Sequence, residues 1–584
     1  MSSVDRFFRS YLTGYLGWYA LGTAALVATN WMSVEIPMIL GRAIDELTHG
    51  GDPAGVRVHA AWIAALGVAV IAIRTASRLL FFTPGRLVEA RLKRDLFESM
   101  LRQQPKFLRQ WSVGDLVSRH TSDVNMARLL AGFTALGVIN TVVALGVTGA
   151  QMFRISPVLA TATVLPIALG FAVTRTVVRR LLFWTSAVQR HAAEISDHIL
   201  TTYQGVSTIR LFRSHQTFED LFERRSAEWR RAGVRRSDLR IGIGPVLSLA
   251  AASNVFVLLW FGGAMAIRGE LTVGELVGFT SLASYLIGPL RGMSFIASLW
   301  KQSEASLDRL EEILRPVPDR PERLRPGGPL PAPTAPPVIE LRNLSFQWAG
   351  AVRPALSDVS AQIPAGSTLG VFGPTGAGKS TLIQILARLE NPAPGRVFVN
   401  GTDILELDLE AWRRVTCTVP QKPFLFSESV RDNLLLGQPD DGRLTAMIET
   451  VSLGPDLHTL PAGLDTIVGE AGITLSGGQR QRVALARGLL RPHVVRLLDD
   501  VLSSVDAETE ARLLPTLLRG SATTILVSHR ISALRGAAEI LVLGEAGQVL
   551  DRGAHAQLVL RPGPYQEAYL AEHQLGREAP ETPG

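Results

Sequence analysis

A glycine-rich loop that ends in a lysine and a serine is the part of this sequence most suited to chemistry. It reads GPTGAGKST, follows the apolar run 367–372 and precedes an apolar segment compatible with a helix. Its glycines let successive backbone N–H groups point at one phosphate, and the following helix N-terminus adds partial positive charge. Lys379 would reach the β- and γ-phosphates, and the Ser380 hydroxyl would bind Mg²⁺. The pattern predicts a nucleoside triphosphate site made by Gly373, Pro374, Thr375, Gly376, Ala377, Gly378, Lys379, Ser380 and Thr381.

Five residues outside the loop have side chains suited to handling a bound triphosphate. Trp348 precedes the loop and is expected to stack its ring on a base. Gln421 follows the loop and offers an amide oxygen to Mg²⁺ or to water. Asp499 ends the apolar run VVRLLD, where it would hold Mg²⁺ through water, and Asp500 comes next, where a general base would face the γ-phosphate. His529 ends another apolar run and is expected to contact the γ-phosphate.

A second anion-binding helix start is predicted within LSGGQRQR, residues 475–482. A serine followed by two glycines at the start of a helix leaves backbone N–H groups able to face an anion. The residues concerned are Ser476, Gly477 and Gly478, followed by Gln479.

The composition limits the class of protein. Of the 584 residues 47% are hydrophobic, and the net charge is +7. The mean hydropathy of +0.21 is high for a soluble protein and low for one lying wholly in a membrane. Arginines cluster beside apolar runs, which favours contact with anionic lipid headgroups over nucleic acid. The single cysteine, Cys417, excludes an intrachain disulfide framework.

The elements that must position the site begin with six predicted membrane spans. A spanning helix needs about 20 mostly apolar residues. Such stretches occur near 15–43, 58–83, 129–153, 156–178, 243–268 and 275–300. The long gaps 84–128 and 179–242 are rich in arginine, which predicts that they and both termini are cytoplasmic. These gaps also have helical periodicity, so we expect them to extend the spanning helices. Residues 1–14 are predicted to form a basic amphipathic helix.

The remaining domain boundaries follow from the proline content and from the alternation of apolar and polar residues. Residues 315–337 are crowded with proline and are predicted to be a linker between a membrane domain, 1–314, and a globular domain, 338–570. The globular domain has an α/β pattern, and the tail 571–584 is predicted to be disordered.

With these motifs in this order, the chain resembles an ATP-binding cassette (ABC) exporter half-transporter of the multidrug and lipid exporter family (type IV fold). LSGGQ is similar to the signature of that family. Residues 114–124, 204–212 and 269–279 resemble its two cytoplasmic coupling segments and the link between its last two spans. The resemblance implies a multidomain membrane protein, in which an all-α six-helix transmembrane domain is followed by an α/β P-loop ABC nucleotide-binding domain.

The resemblance also implies a transporter ATPase that uses ATP and Mg²⁺ and works as a pair. Ser380, Gln421 and Asp499 would bind the metal ion, and Asp500, His529 and Gln421 would be catalytic. Ser476, Gly477, Gly478 and Gln479 would act in trans, on the ATP held by the partner subunit. ATP would close the pair and turn the helices outward, and hydrolysis would reset them.

Three residues depart from the family pattern. Asp500 stands where Glu is usual, which draws the carboxylate back by about 1 Å, a displacement that can cost about 10²-fold in rate. Arg496 interrupts an otherwise apolar strand, and Ala471 stands where Arg is common. An intact signature beside a shortened base favours a heterodimer, in which this chain's own site is slow and the partner carries Glu.

The cargo is not determined by the sequence. Glu35, Arg74 and Arg291 fall within apolar stretches, where charges often line a translocation path but arginines can also reach the membrane surface. An amphipathic drug, lipid or peptide would fit, with export across a bacterial cytoplasmic membrane. The alternatives are a homodimeric lipid flippase, an exporter-fold importer of metal chelates and a membrane-anchored regulator that binds ATP.

Overall fold

The computed structural model describes residues 2–49, 53–103, 107, 110–315, 331–469, 472, 474–503, 505–518 and 522–575. The chain folds into two compact units, Met1–Arg102 with Trp111–Pro316, and Gln103–Gln110 with Val317–Gly584. Most of the predicted linker, residues 316–330, lies outside the described residues, as do positions 576–584 of the predicted tail.

The first unit is helical. Its α-helices are α1 (Ser3–Phe7), α2 (Leu16–Thr48), α3 (Pro53–Arg102), α4 (Val113–Ser118), α5 (Val124–Leu129), α6 (Ala135–Ile155), α7 (Pro157–Gln204), α8 (Val206–Leu211), α9 (His215–Val257), α10 (Gly263–Ile267) and α11 (Val273–Leu314). A 3₁₀ turn covers Thr13–Tyr15, and π-helical turns cover Phe8–Leu12, Arg119–Asp123, Leu130–Thr134 and Leu258–Gly262.

Five of the six predicted spans are confirmed as helices that are long and apolar enough to cross a membrane. Within the described residues these helical stretches are Ser3–Thr48, Pro53–Arg102, Val113–Ile155, His215–Ile267 and Val273–Leu314. The fourth predicted span, 156–178, lies in α7, whose described apolar stretch is Pro157–Pro166. Several later side chains of that span are outside the description, so it stays a prediction. The predicted helical extensions are confirmed, since α3 continues to Arg102, α7 continues to Gln204 and α9 begins at His215.

Small and polar residues set how closely the helices of this unit pack. Gly274 of α11 lies so close to α2 that a Cβ there would be 2.0 Å from the Gly41 carbonyl oxygen. Buried Asn30 of α2 donates to Asn140 Oδ1 of α6 (3.1 Å) and accepts from the Tyr285 hydroxyl of α11 (3.0 Å). Such side-chain hydrogen bonds hold helices together where apolar surface alone gives little preference.

The N-terminal segment, residues 2–15, is helical from Ser3 onward, as predicted for 1–14, but it is α-helical only at first. Ser2 caps α1, and a π-helical and a 3₁₀ turn follow before α2 begins. Phe7 and Leu12 are buried in a core with side chains of α3, α5 and α11. Arg6 pairs with Glu311 of α11. The segment is therefore packed against α3, α5 and α11.

The second unit is α/β. Its strands are β1 (Ile339–Phe346), β2 (Leu356–Ile363), β3 (Thr368–Phe372), β4 (Val397–Val399), β5 (Thr402–Asp403), β6 (Thr416–Val419), β7 (Val495–Asp499), β8 (Thr523–Val527), β9 (Glu539–Leu543) and β10 (Val549–Gly553). Its α-helices are α12 (Lys379–Leu386), α13 (Leu409–Arg414), α14 (Val430–Leu435), α15 (Leu444–Thr450), α16 (Gly454–Thr459), α17 (Gly477–Leu489), α18 (Ala507–Leu518), α19 (Ile531–Leu534), α20 (His555–Leu558) and α21 (Pro564–Leu575). 3₁₀ turns cover Ile404–Glu406 and Gly463–Asp465.

Two sheets organise this unit. One is antiparallel with the order β2-β1-β4-β5, and the other has the order β10-β9-β3-β8-β7-β6. In the larger sheet β9, β3, β8, β7 and β6 are parallel, and only β10 is antiparallel to its neighbour. Successive residues of one strand enter different cores, as Leu497 and Leu498 do, so both faces of the sheet are covered. This explains the near-continuous apolar runs of the sequence.

Candidate functional site

The parallel strands bring the predicted site residues to one edge of the larger sheet. The glycine-rich loop follows β3, His529 follows β8, Asp499 ends β7 and Gln421 follows β6. These four strands are neighbours, so their carboxyl ends meet at the same edge. In open α/β sheets this edge is where ligands bind.

The loop itself depends on glycine at the N-cap of α12. Gly378 has φ +83°, and a Cβ there would lie 2.0 Å from the Ala355 carbonyl oxygen. A side chain would therefore be both strained and blocked by backbone. The turn directs the N-terminus of α12 into the loop, which leaves its first N–H groups able to meet an anion.

Lys379 folds back over the loop. Its Nζ donates to the carbonyl oxygens of Gly373 (2.7 Å) and Pro374 (2.8 Å). Burial lowers the pKa of this amine, and the carboxylates of Asp500 and Asp499 act in the opposite direction. The ammonium group thus already lies at the mouth of the loop, where a phosphate would replace the carbonyl oxygens as its partner.

The side chains predicted to hold Mg²⁺ offer oxygen ligands of the kind that this ion prefers. Asp499 is buried, and burial raises its pKa, while a hydrogen bond from Ser380 lowers it. The hydroxyl of Ser380, the carboxylate of Asp499 and the amide oxygen of Gln421 form a hard, all-oxygen donor set. The residues present therefore fit Mg²⁺.

Asp500 is held by two neighbouring strand ends. Its carboxylate is within hydrogen-bonding distance of His529 Nδ1 (3.0 and 3.2 Å) and accepts from Gln421 Nε2 (3.2 Å). Its backbone is left-handed, with φ +50°, and its side chain is only 10% exposed. A short carboxylate is therefore fixed on both sides, and His529, which is 56% exposed, faces the open cleft.

Trp348 lies beside the loop and is not a core residue. Its ring is partly buried and meets Phe346 edge-on, with 5.1 Å between the ring centroids. Its indole N–H points to the Thr381 hydroxyl at 3.4 Å. Trp348 thus lines the same cleft as the loop, and its stacking on a base stays a prediction.

A single cleft of about 1030 Å³ unites these residues. Trp348, the loop 373–381, Gln421, Asp499, Asp500 and His529 all line it. Sequence reasoning missed the other lining residues, which are Ala355, Phe372, Val527, Gly544, Glu545, Leu550 and Pro564. Four of them lie in strands or at a helix start and three lie in connecting turns, and only the fold brings them to the cleft. The roles of the predicted residues toward ATP stay predictions.

Residues 19–290 match the family described as ABC transporter transmembrane region, and residues 356–503 match the family described as ABC transporter. The probable multidrug resistance ABC transporter ATP-binding/permease protein YheI of Bacillus subtilis is 30% identical over 568 residues, which cover 95% of this chain and 96% of that protein. This chain belongs to the ABC transporter family.

Other relatives agree in length and fold. The ATP-dependent lipid A-core flippase of Methylococcus capsulatus is 31% identical, with 84% of this chain and 81% of that protein covered. A solved bacterial Atm1-family ABC exporter with ATP bound superposes with a TM-score of 0.78 at 23% identity, covering 97% of this chain and 99% of that one, which shows the fold alone. The chain is therefore a multi-pass membrane ABC transporter ATPase, with a helical transmembrane domain followed by an α/β nucleotide-binding domain.

The ABC signature lies apart from the cleft. Ser476 caps α17 by accepting from the Gln479 backbone N–H (3.2 Å) in a capping box. Among the described residues, none of Ser476, Gly477, Gly478 or Gln479 lines the cleft. Gln481, two residues further along α17, donates from Nε2 to the Asp500 carbonyl oxygen at 3.4 Å. The predicted role of the signature toward a partner's ATP stays a prediction.

The structure describes two of the residues that depart from the ABC pattern, Arg496 and Asp500. Arg496 of β7 donates to His493 Nε2 (2.8 Å) and to the carbonyl oxygens of Thr516 (3.3 Å) and Leu517 (3.2 Å). Burial lowers its pKa. It therefore ties β7 to the end of α18, and Asp500 is the departure that lies in the cleft. Ala471 lies outside the described residues.

Charged residues predicted within the spans of this ABC transporter also have partners. Glu35 pairs with Arg42, with 2.5 Å between Oε1 and the guanidinium, and Arg74 donates to the Ser33 hydroxyl at 3.3 Å. Neither is buried. The side chain of Arg291 lies outside the description.

Proposed function

We propose that this chain is one half of a heterodimeric exporter, which uses ATP to move an amphipathic substrate out of a bacterial cell. Its own ATP site would hydrolyse slowly, and its signature would complete a faster site on a partner that carries Glu at the position of Asp500. The observation that carries this proposal is the fixed position of the Asp500 carboxylate in a chain whose signature sequence is intact.

Slow hydrolysis at this site follows from the short reach of the Asp500 side chain. Hydrogen bonds from Gln421 and contacts with His529 hold Asp500 from both sides, at 3.0–3.2 Å. Moving toward an attacking water would break them, and the side chain is about 1 Å shorter than Glu. Misplacing the base by this distance lowers the rate of hydrolysis by about 10²-fold.

The other residues of the cleft would bind and orient ATP without difficulty. Trp348 stacks on the base, the loop N–H groups and Lys379 hold the phosphates, and His529 contacts the γ-phosphate while it steadies Asp500. Mg²⁺, held by Ser380, Gln421 and Asp499, would offset the charge of the β- and γ-phosphates. Asp500 would accept a proton from the attacking water at its carboxylate oxygen.

The membrane placement and the cargo belong to the same proposal. The arginine-rich extensions of α3, α7 and α9 support cytoplasmic termini and a cytoplasmic-membrane location. The relatives are named for multidrug resistance and for flipping lipid A-core, which supports an amphipathic drug, lipid or peptide as cargo. The pairing of Glu35 with Arg42 supports no choice among them.

The test is the ATPase activity of the purified chain, alone and with a half-transporter that carries the catalytic Glu. We expect the chain alone to be nearly inactive and the pair to turn over. In the pair, Asp500→Asn should change the rate less than two-fold, while Glu→Gln in the partner should abolish it. Asp500→Glu should raise turnover at this chain's own site.

Two results would contradict the heterodimer. Loss of most turnover in the pair on Asp500→Asn would make Asp500 a working base. A chain that dimerises with itself and hydrolyses ATP at a rate typical of exporters would favour the homodimeric lipid flippase. Lys379→Ala is the matched control, because it removes ATP binding at this site whichever residue is the base.

A further inference from the structure

An apolar cavity lies between the N-terminal segment and three long helices of the membrane domain. Its volume is about 340 Å³, at the small end of the range for ligand sites. Its lining includes Phe8, Leu16, Leu130, Val138, Ile139 and Trp300, from the segment, α2, the turn before α6, α6 and α11. Water in so apolar a space finds few hydrogen-bond partners, so an apolar occupant is favoured.

The position of the cavity along the helices points to one leaflet of the membrane. Leu16 lies at the start of the first predicted span, Leu130 at the start of the third and Trp300 at the end of the sixth. With the cytoplasmic termini proposed above, all three lie at the cytoplasmic ends of their spans. The acyl chains of inner-leaflet lipids are the apolar groups present at that depth. This step rests on the proposed orientation and is independent of cargo and of the rate at Asp500.

A cation whose one electrostatic interaction given among the described residues is with Asp5 lines the same cavity. Arg9 is exposed, and no hydrogen bond or ion pair of its guanidinium occurs among the described residues. Arg6, one turn earlier, is instead paired with Glu311. Asp5 is engaged with Ser2 in the cap of α1. A phosphate is the anion that a lipid would bring to Arg9.

The walls of the cavity are fixed. Phe7 and Leu12 anchor the segment in the core formed with α3, α5 and α11. The π-helical turns Phe8–Leu12 and Leu130–Thr134 both contribute to the lining. Such turns carry an extra residue and displace neighbouring side chains. The space is therefore part of the folded shape.

We propose that this cavity binds an acyl chain of an anionic phospholipid of the cytoplasmic leaflet, with the lipid phosphate on Arg9. The lipid would fill the gap between the N-terminal segment, α6 and α11. It would be a resident lipid, separate from the transported cargo.

The test is native mass spectrometry of the full chain, with its partner subunit if one is needed, after delipidation and titration with dimyristoyl-phosphatidylglycerol or dimyristoyl-phosphatidylcholine. Both lipids carry a phosphate, but choline cancels its charge in phosphatidylcholine, so one arginine should favour the anionic phosphatidylglycerol by roughly five-fold. Val138→Trp should remove binding of both lipids, because the indole fills the cavity. Arg9→Gln should lower phosphatidylglycerol binding to the level of phosphatidylcholine.

Matched variants keep the test decisive. Val142→Trp lies one turn further along α6 and Arg94→Gln lies on α3, both outside the lining, and both should bind lipid as the wild type does. Unchanged lipid binding in Val138→Trp, or an unchanged preference in Arg9→Gln, would overturn the proposal. A wild type that binds neither lipid, as expected if a second subunit fills the cavity, would overturn it too. ATPase rate is not a readout, so the heterodimer proposal can fail independently.

Discussion

Two glycines of the phosphate loop allow two requirements for glycine to be separated. One is a positive φ, and the other is the absence of room for a Cβ atom. Gly376 and Gly378 have φ +88° and +83°, but only Gly378 has backbone against its Cβ position. We expect Gly376→Ala to cost about 1 kcal/mol in strain and to keep ATP binding. Gly378→Ala should lose ATP binding, because the loop must move to admit the methyl group. Fluorescent-nucleotide titration checks both, and equal affinities would contradict this account of the loop.

Cys417 should be inert in the folded protein. It is buried, which raises its pKa to about 12, and the nearby Arg496 offsets this only in part. An unfolded thiol ionises near 8.5, so this group favours the folded state below about pH 8.5 and loses that contribution as the pH rises further. Maleimide should label it within minutes in denaturant and not in native protein at pH 8, as mass spectrometry would detect. Rapid native labelling would mean that β6 opens easily.

The sequence predicted the loop, Asp499, Asp500 and His529 as site residues, because each lies at the end of an apolar run or directly after it. It did not predict that Gln421 and His529 both hold Asp500, nor the partners of Arg496. The contacts of Asp500 join residues that are 29 and 79 positions apart in the chain, and they depend on the strand order β8-β7-β6. Single-strand patterns contain no information about which strands become neighbours.

At the scale of elements, the contact between α2 and α11 can be tested with two glycines of α11. Asp45 of α2 accepts from the Gly274 backbone N–H (2.7 Å) and the Thr272 hydroxyl (2.6 Å), which caps α11. Gly274→Ala should destabilise the protein by about 1–3 kcal/mol through overpacking. Gly288→Ala, with nothing within 4 Å of its Cβ position, should be neutral or slightly stabilising. Thermal unfolding in detergent compares them, and equal melting temperatures would contradict the close approach.

Long apolar stretches made most helices predictable, and helical periodicity in the arginine-rich gaps predicted their extension. The N-terminal segment is helical as predicted, but the sequence did not predict that Phe7, Leu12 and Arg6 contact other helices. The π-helical turns were not predicted either. Each of these turns accommodates one extra residue without a change in composition, so the hydrophobic periodicity does not predict them.

At the scale of the whole molecule, residues 331–575 should fold alone. Two hydrophobic cores cover the faces of the larger sheet, and both consist of residues of this segment. The isolated segment should unfold cooperatively and bind ATP, with little hydrolysis if, as proposed, a partner's signature completes the site. Circular dichroism and calorimetric titration test this, with Lys379→Ala as the control for binding. An insoluble or molten segment would show that the cores depend on the membrane domain.

The signature should matter only to the assembled transporter. Gly477→Asp places a carboxylate at the start of α17, where it would repel a partner's γ-phosphate. In the pair with a Glu-bearing half-transporter, it should abolish turnover and leave ATP binding in this chain's own cleft unchanged. Nucleotide binding and phosphate release, measured on the same sample, separate the two effects. Lost binding in the chain's own cleft would instead place the signature within that site.

The π-helical turns have a consequence for the evolution of related chains, because they can accommodate single-residue insertions. One residue inserted into an α-helix rotates everything beyond it by about 100°, which would bury the wrong side chains in a membrane bundle. A π-helical turn absorbs that residue locally, as at Leu130–Thr134 and Leu258–Gly262. Alignments with relatives should therefore have single-residue gaps at these turns and continuous register on either side. Length variation inside a membrane helix is tolerated at the places where the backbone has already widened to accept it.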